Sequence, residues 1–319
     1  MVRFLVRRTL SGLLVLWLIS MAVFALFFIT PSNVARTIAG RQATPEIIAA
    51  VNRRLGLDQP LWKQYLSFVN KALHGDLGYD FYHQVSVAHI IGQALPITVS
   101  LAVGASIIWL ALGVFNGVMS AVHPRSFLDR ALTAVSLFFF SIPSFLLGLV
   151  LLYFLYFRLT VAGYTWFPAG GYAPLSAGLG PWLNHLILPW FTLALISAAV
   201  YTRLTRGSML DILSEDYIKT ARSKGLSERR VVYRHGLRSA LTPVVTQFGI
   251  DLGQLVGGVI ITETVFSLPG LGKTSYDAIT QQDLPVIIGI VLFAATAVIV
   301  ANILVDVAYA LLDPRVRMH

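Results

Sequence analysis

Cysteine is absent from the 319 residues, which excludes disulfides, thiolate metal sites and cysteine nucleophiles together. Charge is scarce too. Only 12% of residues are Asp, Glu, Lys or Arg, against about 25% in an ordinary soluble domain, and 56% are hydrophobic. A soluble domain of this length would need a polar covering that this chain cannot supply, so its main solvent is a lipid bilayer. Acidic residues are the rarer sign, 15 against 24 basic, for a net charge of +9. The basic residues form no stripe with base-stacking aromatics beside it, so no nucleic-acid partner is expected. The histidines show no HExxH or related spacing, so no metal site is expected and they belong to loops or interfaces.

What is present is a set of long apolar runs. A helix crosses the hydrocarbon core with about 20 mainly apolar residues, because its backbone polar groups must be satisfied within the segment. Six stretches qualify: 10–29, 95–122, 131–157, 186–205, 240–262 and 284–312. The first is too long for a signal-peptide core and no A-x-A site follows it, so it is expected to stay as a span. Between Arg158 and Arg203 there is no formal charge. Gly163, Pro168, Gly170, Gly171, Pro174, Gly178, Gly180 and Pro181 break the first half of that stretch into an apolar loop.

Orientation follows from Lys and Arg, which accumulate in short cytoplasmic loops. Arg3, Arg7 and Arg8 precede the first span, Arg125 and Arg130 lie in the second connection, and Arg315 and Arg317 follow the last. The fourth connection adds Arg203, Arg206, Lys219, Arg222, Lys224, Arg229, Arg230, Arg234 and Arg238. Both termini are therefore expected on the cytoplasmic side, and the long first connection outside.

The fourth connection has helical patterning of its own. Leu210, Leu213, Tyr217 and Ala221 recur at helical spacing over 208–224, with Asp211, Glu215, Lys219 and Arg222 elsewhere on the wheel. Gly225 followed by Leu226 ends that helix, and Ser227 can cap a second one in which Arg230, Arg234 and Arg238 share a face. Spacing alone fits equally well an amphipathic pair lying on anionic headgroups.

The order of residues is more specific. The run DYIKTARSKGLSERR at 216–230, continuing as HGLRSALTP at 235–243, resembles the cytoplasmic signature of bacterial dipeptide and oligopeptide ABC importer permeases. There the segment corresponds to the EAA loop, whose first helix couples to the ATPase. Two departures from the general pattern are Lys219-Thr220-Ala221 at the E-A-A triplet and Leu237-Arg238 in place of LP, with proline delayed to Pro243. Further blocks match in order. They are Thr44-Pro45-Glu46, Leu55-Gly56-Leu57-Asp58, Pro60-Leu61, Gln64-Tyr65, Gly75-Asp76-Leu77-Gly78, Glu263-Thr264-Val265-Phe266, Pro269-Gly270-Leu271-Gly272 and Leu311-Leu312-Asp313-Pro314-Arg315. Pro31-Ser32-Asn33 departs from the PGDP-like turn usual in that family.

The resemblance implies an all-α integral membrane protein with six transmembrane helices, a type I ABC importer permease fold with a cytoplasmic coupling helix. Its parts would be a terminus and first span (1–30), a long external loop (31–93), a five-helix core (94–312) containing the coupling segment 206–239, and a cytoplasmic tail (313–319). The expected location is the bacterial inner membrane. Asp216, Tyr217, Lys219, Thr220, Ala221, Lys224, Gly225, Leu226, Arg229, Arg230 and Arg238 would couple to the ATPase. Glu263, Pro269, Gly270 and Gly272 would line the outer end of the path, with Glu263 as a gate or a contact for the peptide's amino end. Expected partners are a second homologous permease subunit, two ATPase subunits or domains that hold ATP and Mg, an external binding protein and a short peptide. This chain would carry no cofactor and perform no catalysis. Within the family, nickel chelates, glutathione and haem are alternative cargoes.

Asp251 inside the fifth span is a candidate path residue, or else pairs with Gln247, Gln254 or a backbone group. Gly249, Gly253 and Gly257 recur every four residues and suit close helix packing. A secondary transporter or channel is the competing class, and Asp251 is its clearest intramembrane charge. Gly270-Leu271-Gly272-Lys273-Thr274 imitates the end of a P-loop, but Ser267 stands at the required first glycine and no strand precedes it. It reads as a turn. Gly104-Ala105-Ser106-Ile107 lacks the closing glycine of an intramembrane protease's serine turn.

Overall fold

The computed structural model describes residues 2–26, 44–46, 49, 58–80 and 83–312, without the side chains of 2–5, 252–258 and 304–312. Pro31, Leu55 and Asp313, with the motifs around them, lie outside the described residues, as do the side chains of Gly253, Gln254, Gly257 and Asp306. The described residues are mostly helical. Five helices are long and apolar enough to cross a membrane: Val6–Phe24, Val87–Val122, Ser144–Val161, Leu179–Ser214 and Leu284–Ile303. They fall on five of the six expected stretches, and a helix at Leu237–Val265 covers the remaining one. The chain forms two compact units, residues 1–95 with 274–319, and residues 96–273.

In the first unit, α1 (Val2–Phe24) packs along the closing helix of the chain, and a Cβ at Gly12 would lie 2.8 Å from Ile299. Helix α2 (Leu61–Leu73) turns its aromatic side onto the end of α1. Phe24 meets Tyr65 edge to face at 5.3 Å, and Ser20 hydrogen-bonds the Tyr65 hydroxyl at 2.8 Å. A small antiparallel hairpin follows, β1 (Tyr79–Asp80) with β2 (Val85–Ser86), in the register Tyr79↔Ser86 and Asp80↔Val85.

Helix α3 (Val87–Val122) is longer than the expected 95–122 and tolerates Pro96 within it. The expected third span, 131–157, is two helices. They are α4 (Phe127–Ser141) and α5 (Ser144–Val161), the latter containing a π-helical stretch at Leu152–Arg158. Pro143 causes the division: it disfavours helical backbone at the residue before it, and Ile142 is extended at φ −85°, ψ 126°. Ser126 caps α4 by accepting from Asp129 N. Residues 162–178 are largely irregular, as their glycines and prolines imply, and Gly171 N donates to Phe266 O at 2.9 Å to hold that loop.

Helix α6 (Leu179–Ser214) begins earlier and runs further than the expected span of 186–205. The second unit's core gathers Leu101, Trp109, Leu186, Tyr201, Val244, Phe266 and Leu268, all buried. Small residues bring α3 and α6 together. A Cβ at Gly104 would overlap the Trp190 indole, whose Nε1 donates to Ser100 O at 3.0 Å, and one at Gly117 would lie 2.5 Å from Thr205 Cβ. Gly249 of the expected packing stripe is buried. The glycines of α3 form a close-packing face that the spacing of the fifth span did not point to.

Candidate functional site

Two clusters of the second unit contain most of the residues singled out by sequence. The first lies where α6 ends. The expected continuous helix over 208–224 is interrupted, because Glu215 is extended (ψ 149°) and redirects the chain into α7 (Asp216–Ser223). This break resets the helical phase. Ile218 and Ala221 face inward, against Val231, Leu226, Ile212 and Leu213, whereas Tyr217 is exposed and donates to Ser239 Oγ at 3.2 Å. The single apolar face that spacing drew through Leu213 and Tyr217 is therefore split between two helices.

Helix α7 closes on a Schellman turn. Gly225 has φ +77°, its N–H donates to Arg222 O at 2.9 Å, and Leu226 N donates to Ala221 O at 3.4 Å. Both bonds satisfy carbonyls that the helix end would otherwise leave unpaired, and Leu226 packs on the cluster containing Ala221. Ser227 occupies the next N-cap position but makes no side-chain cap bond. The second helix is not separate. One short turn (Glu228–Arg230) passes through a π-helical stretch (Val231–Gly236) directly into α8 (Leu237–Val265), so the expected start of the fifth span at 240 falls inside a continuous helix.

Ion pairs brace this corner. Arg222 donates to both Glu228 oxygens, at 2.7 and 3.1 Å, and holds that carboxyl below its ordinary range. Lys219 pairs with Asp216 at 2.9 Å, but both are largely exposed and the pair contributes little. Asp216, Tyr217, Lys219, Thr220, Lys224, Gly225, Arg229, Arg230 and Arg238 are exposed, while Ala221 is buried and Leu226 half-buried.

Below the corner sits a clamp that the sequence reading missed. Asp129, 4% exposed, accepts two parallel bonds from Arg206, Nε to Oδ1 at 2.7 Å and a terminal nitrogen to Oδ2 at 2.8 Å. Ser120 donates to the same carboxylate, and Arg125 N does so at 2.8 Å. The guanidinium and these donors hold the Asp129 carboxyl far below its ordinary range. The clamp thus ties the α3–α4 connection to α6, eight residues before Ser214. An acidic residue in the first turn of a helix carries no local signal of a partner in a distant helix.

The second cluster lies where α8 ends. Glu263 is fully buried. Its carboxylate accepts from Thr98 Oγ1 at 2.6 Å and from Lys273 N at 2.9 Å, and Thr98 Oγ1 in turn accepts Leu271 N at 2.8 Å. Gly270 and Gly272 are both buried where a Cβ would meet that carboxylate, and Pro269 is exposed. Of the GLGKT stretch only Gly270 lies in the turn after α8, and Leu271 to Thr274 form the first turn of α9 (Leu271–Gln281), so the expected turn is largely the start of a helix. Glu263 acts as a post around which this turn is wrapped. Replacing it with Ala strands at least two buried donors, each costing about 1–3 kcal/mol. We expect Glu263→Ala to lower the midpoint of thermal unfolding clearly and Glu263→Gln, which keeps one acceptor, to lower it less; equal midpoints for Ala and wild type would contradict this role.

Asp251 accepts from Tyr201 Oη at 2.7 Å and Gln247 Nε2 at 2.8 Å. It is paired within the bundle, one of the two arrangements its sequence position allowed.

The fold defines a class of polytopic membrane protein in which a charged helix, a glycine turn and a further helix join two long helices. Comparison with known proteins narrows this class. The family described as "Binding-protein-dependent transport system inner membrane component" matches residues 113–318, and its N-terminal counterpart matches residues 1–102. The chain belongs to this family of multi-pass inner-membrane permease components. It is 37% identical to a probable peptide ABC transporter permease of Sinorhizobium fredii, over 98% of this chain and 99% of that one. It is 38% identical to the di/tripeptide permease DppB of Pseudomonas aeruginosa and 37% identical to the glutathione permease GsiC of Escherichia coli, each over 99% of both chains.

Proposed function

We propose that this chain is the permease subunit of an ATP-driven importer of short peptides, with residues 216–230 as the seat of a separate ATPase. The observation that carries the reading is the two-sidedness of α7. Ile218 and Ala221 bolt it to the long helices on either side, while Tyr217, Lys219, Thr220, Lys224, Arg229 and Arg230 are left exposed for a partner. A push on that face reaches α6 and α8 without first bending the corner. In this reading both termini are cytoplasmic, ATP and Mg sit on the ATPase subunits, and this chain performs no bond chemistry. A second, homologous permease completes the path and an external binding protein delivers the peptide. The buried, fully engaged carboxylate of Glu263 suits a post shaping the outer mouth better than a direct contact for the peptide's amino end.

Co-expression with the neighbouring permease and ATPase chains followed by reconstitution tests the proposal. The expected result is a stable complex whose uptake of labelled di- and tripeptides requires ATP and the binding protein. A monomer that accumulates peptide on an ion gradient alone would overturn it. Since glutathione is itself a tripeptide, competition between glutathione and unmodified tripeptides in the same vesicles sorts the cargo.

A further inference from the structure

In the unit of residues 1–95 and 274–319, the hairpin after α2 meets the start of α10 (Leu284–Leu312). Two acidic residues are buried there, Asp80 at the end of β1, 1% exposed, and Asp283 just before α10, 4% exposed. His83 lies beside them with its ring largely in solvent, its Nδ1 2.6 Å from Asp80 Oδ2 and its N–H donating to Asp80 Oδ1 at 3.0 Å. One carboxylate or imidazole atom from each of the three lies within 4.8 Å of the others.

Asp283 is poorly served by protein donors. Among the described residues it accepts a long amide hydrogen bond, Val286 N to Oδ1 at 3.4 Å, and its carboxyl otherwise meets that of Asp80. Burying two carboxylates face to face costs far more than an exposed pair unless a positive charge lies between them. The backbone around them is tightly seated. A Cβ at Gly289 would overlap Val87 and lie 3.3 Å from Leu77, and one at Gly78 would lie 3.5 Å from Pro285. The two carboxylates are thus held close by packing that does not depend on their attraction.

We infer that Asp80, His83 and Asp283 bind a divalent transition-metal ion, Zn2+ being the best match. Carboxylate oxygen and imidazole nitrogen are both among its protein ligands, and three of them leave a fourth position for water. The imidazole argues against Ca2+ and Mg2+, which take oxygen. On binding, the Asp80–His83 hydrogen bond opens and both of its atoms turn to the metal, whose charge neutralises the carboxylates. The exposed edge of His83 is the entry path. The ion then clips the hairpin to the last helix. Sequence spacing hid the site because Asp283 joins the other two only through the fold.

The test uses the full-length chain in lipid nanodiscs after chelator treatment, titrated with Zn2+ alone and with Mn2+ alone against a chromogenic competitor. One Zn2+ per chain is expected, binding more tightly than Mn2+. His83→Ala, a change at an exposed side chain that leaves folding intact, should weaken Zn2+ by roughly 100-fold, the upper end of what losing even a supporting partner costs. Asp283→Asn should abolish binding, and Zn2+ should raise the unfolding temperature of the wild type but not of His83→Ala. Zn2+ retention no greater than that of Asp283→Asn, or affinity unchanged in His83→Ala, would overturn the site and leave a proton shared by the two carboxyls in its place.

Discussion

Gly225→Val should abolish most peptide uptake while leaving ATP hydrolysis by the assembled complex largely intact. The residue ends α7 at φ +77°, a conformation costing an L-residue about 1–2 kcal/mol and a β-branched one more. A Cβ there would meet nothing within 4 Å, so the effect is one of backbone and not of collision. The two hydrogen bonds that close the turn, Gly225 N to Arg222 O and Leu226 N to Ala221 O, exist only in that conformation. If the valine drives φ negative, α7 loses its stop and Leu226 its place beside Ala221, and the corner that would carry the ATPase stroke becomes compliant. Gly225→Asn, which tolerates the left-handed region, should restore most of the uptake. Measuring uptake and hydrolysis on the same vesicles separates uncoupling from failed assembly. Wild-type uptake by the valine variant would remove the coupling turn from the mechanism.

Arg206→Met should destabilise the protein by about 3 kcal/mol, the low end for breaking a buried pair, since the Arg206 side chain remains 31% exposed and water can partly compensate. The loss comes chiefly from Asp129, which stays buried with its charge and without its bidentate partner. Arg206→Lys should recover little, because an ammonium cannot make two parallel bonds to one carboxylate. Combining Arg206→Met with Asp129→Leu should be less damaging than the sum of the two changes, and unfolding in detergent followed by tryptophan fluorescence reads the difference. Strict additivity would mean that the clamp is not a coupled unit. The pH dependence has a definite sign. The folded-state carboxyl lies below its unfolded value, so the clamp's contribution is complete above the ordinary carboxylate range and is lost progressively as pH falls from that range through the lowered value. Neutral and mildly acidic solutions should leave it untouched.

The spans were legible because the bilayer demands long apolar helices, and composition reports that demand directly. Their ends were not. Val87 and Leu179 begin helices several residues before the expected apolar cores, because helix continues past the hydrocarbon wherever nothing breaks it. A proline inside an apolar run, as at Pro143, marks a kink site, yet only the extended backbone at Ile142 shows that it divides the span in two. The glycine turn at Gly225 was fully legible, since a positive φ at a helix end leaves a local signature. The facing of α7 was not, because the break at Glu215 shifts the helical phase and puts Ile218 where spacing put Tyr217.

By itself the sequence determined that the chain lives in a membrane, roughly where its apolar helices lie and that a charged segment with a glycine turn joins two of them, since each follows from local composition or local conformation. Tertiary structure alone decided which polar groups meet: Arg206 with Asp129, Glu263 with Thr98 and Lys273, Asp80 with Asp283. Such partners stand far apart along the chain and are matched only when packed helices enclose them, because inside a low-dielectric core a charge must find a partner wherever the fold supplies one.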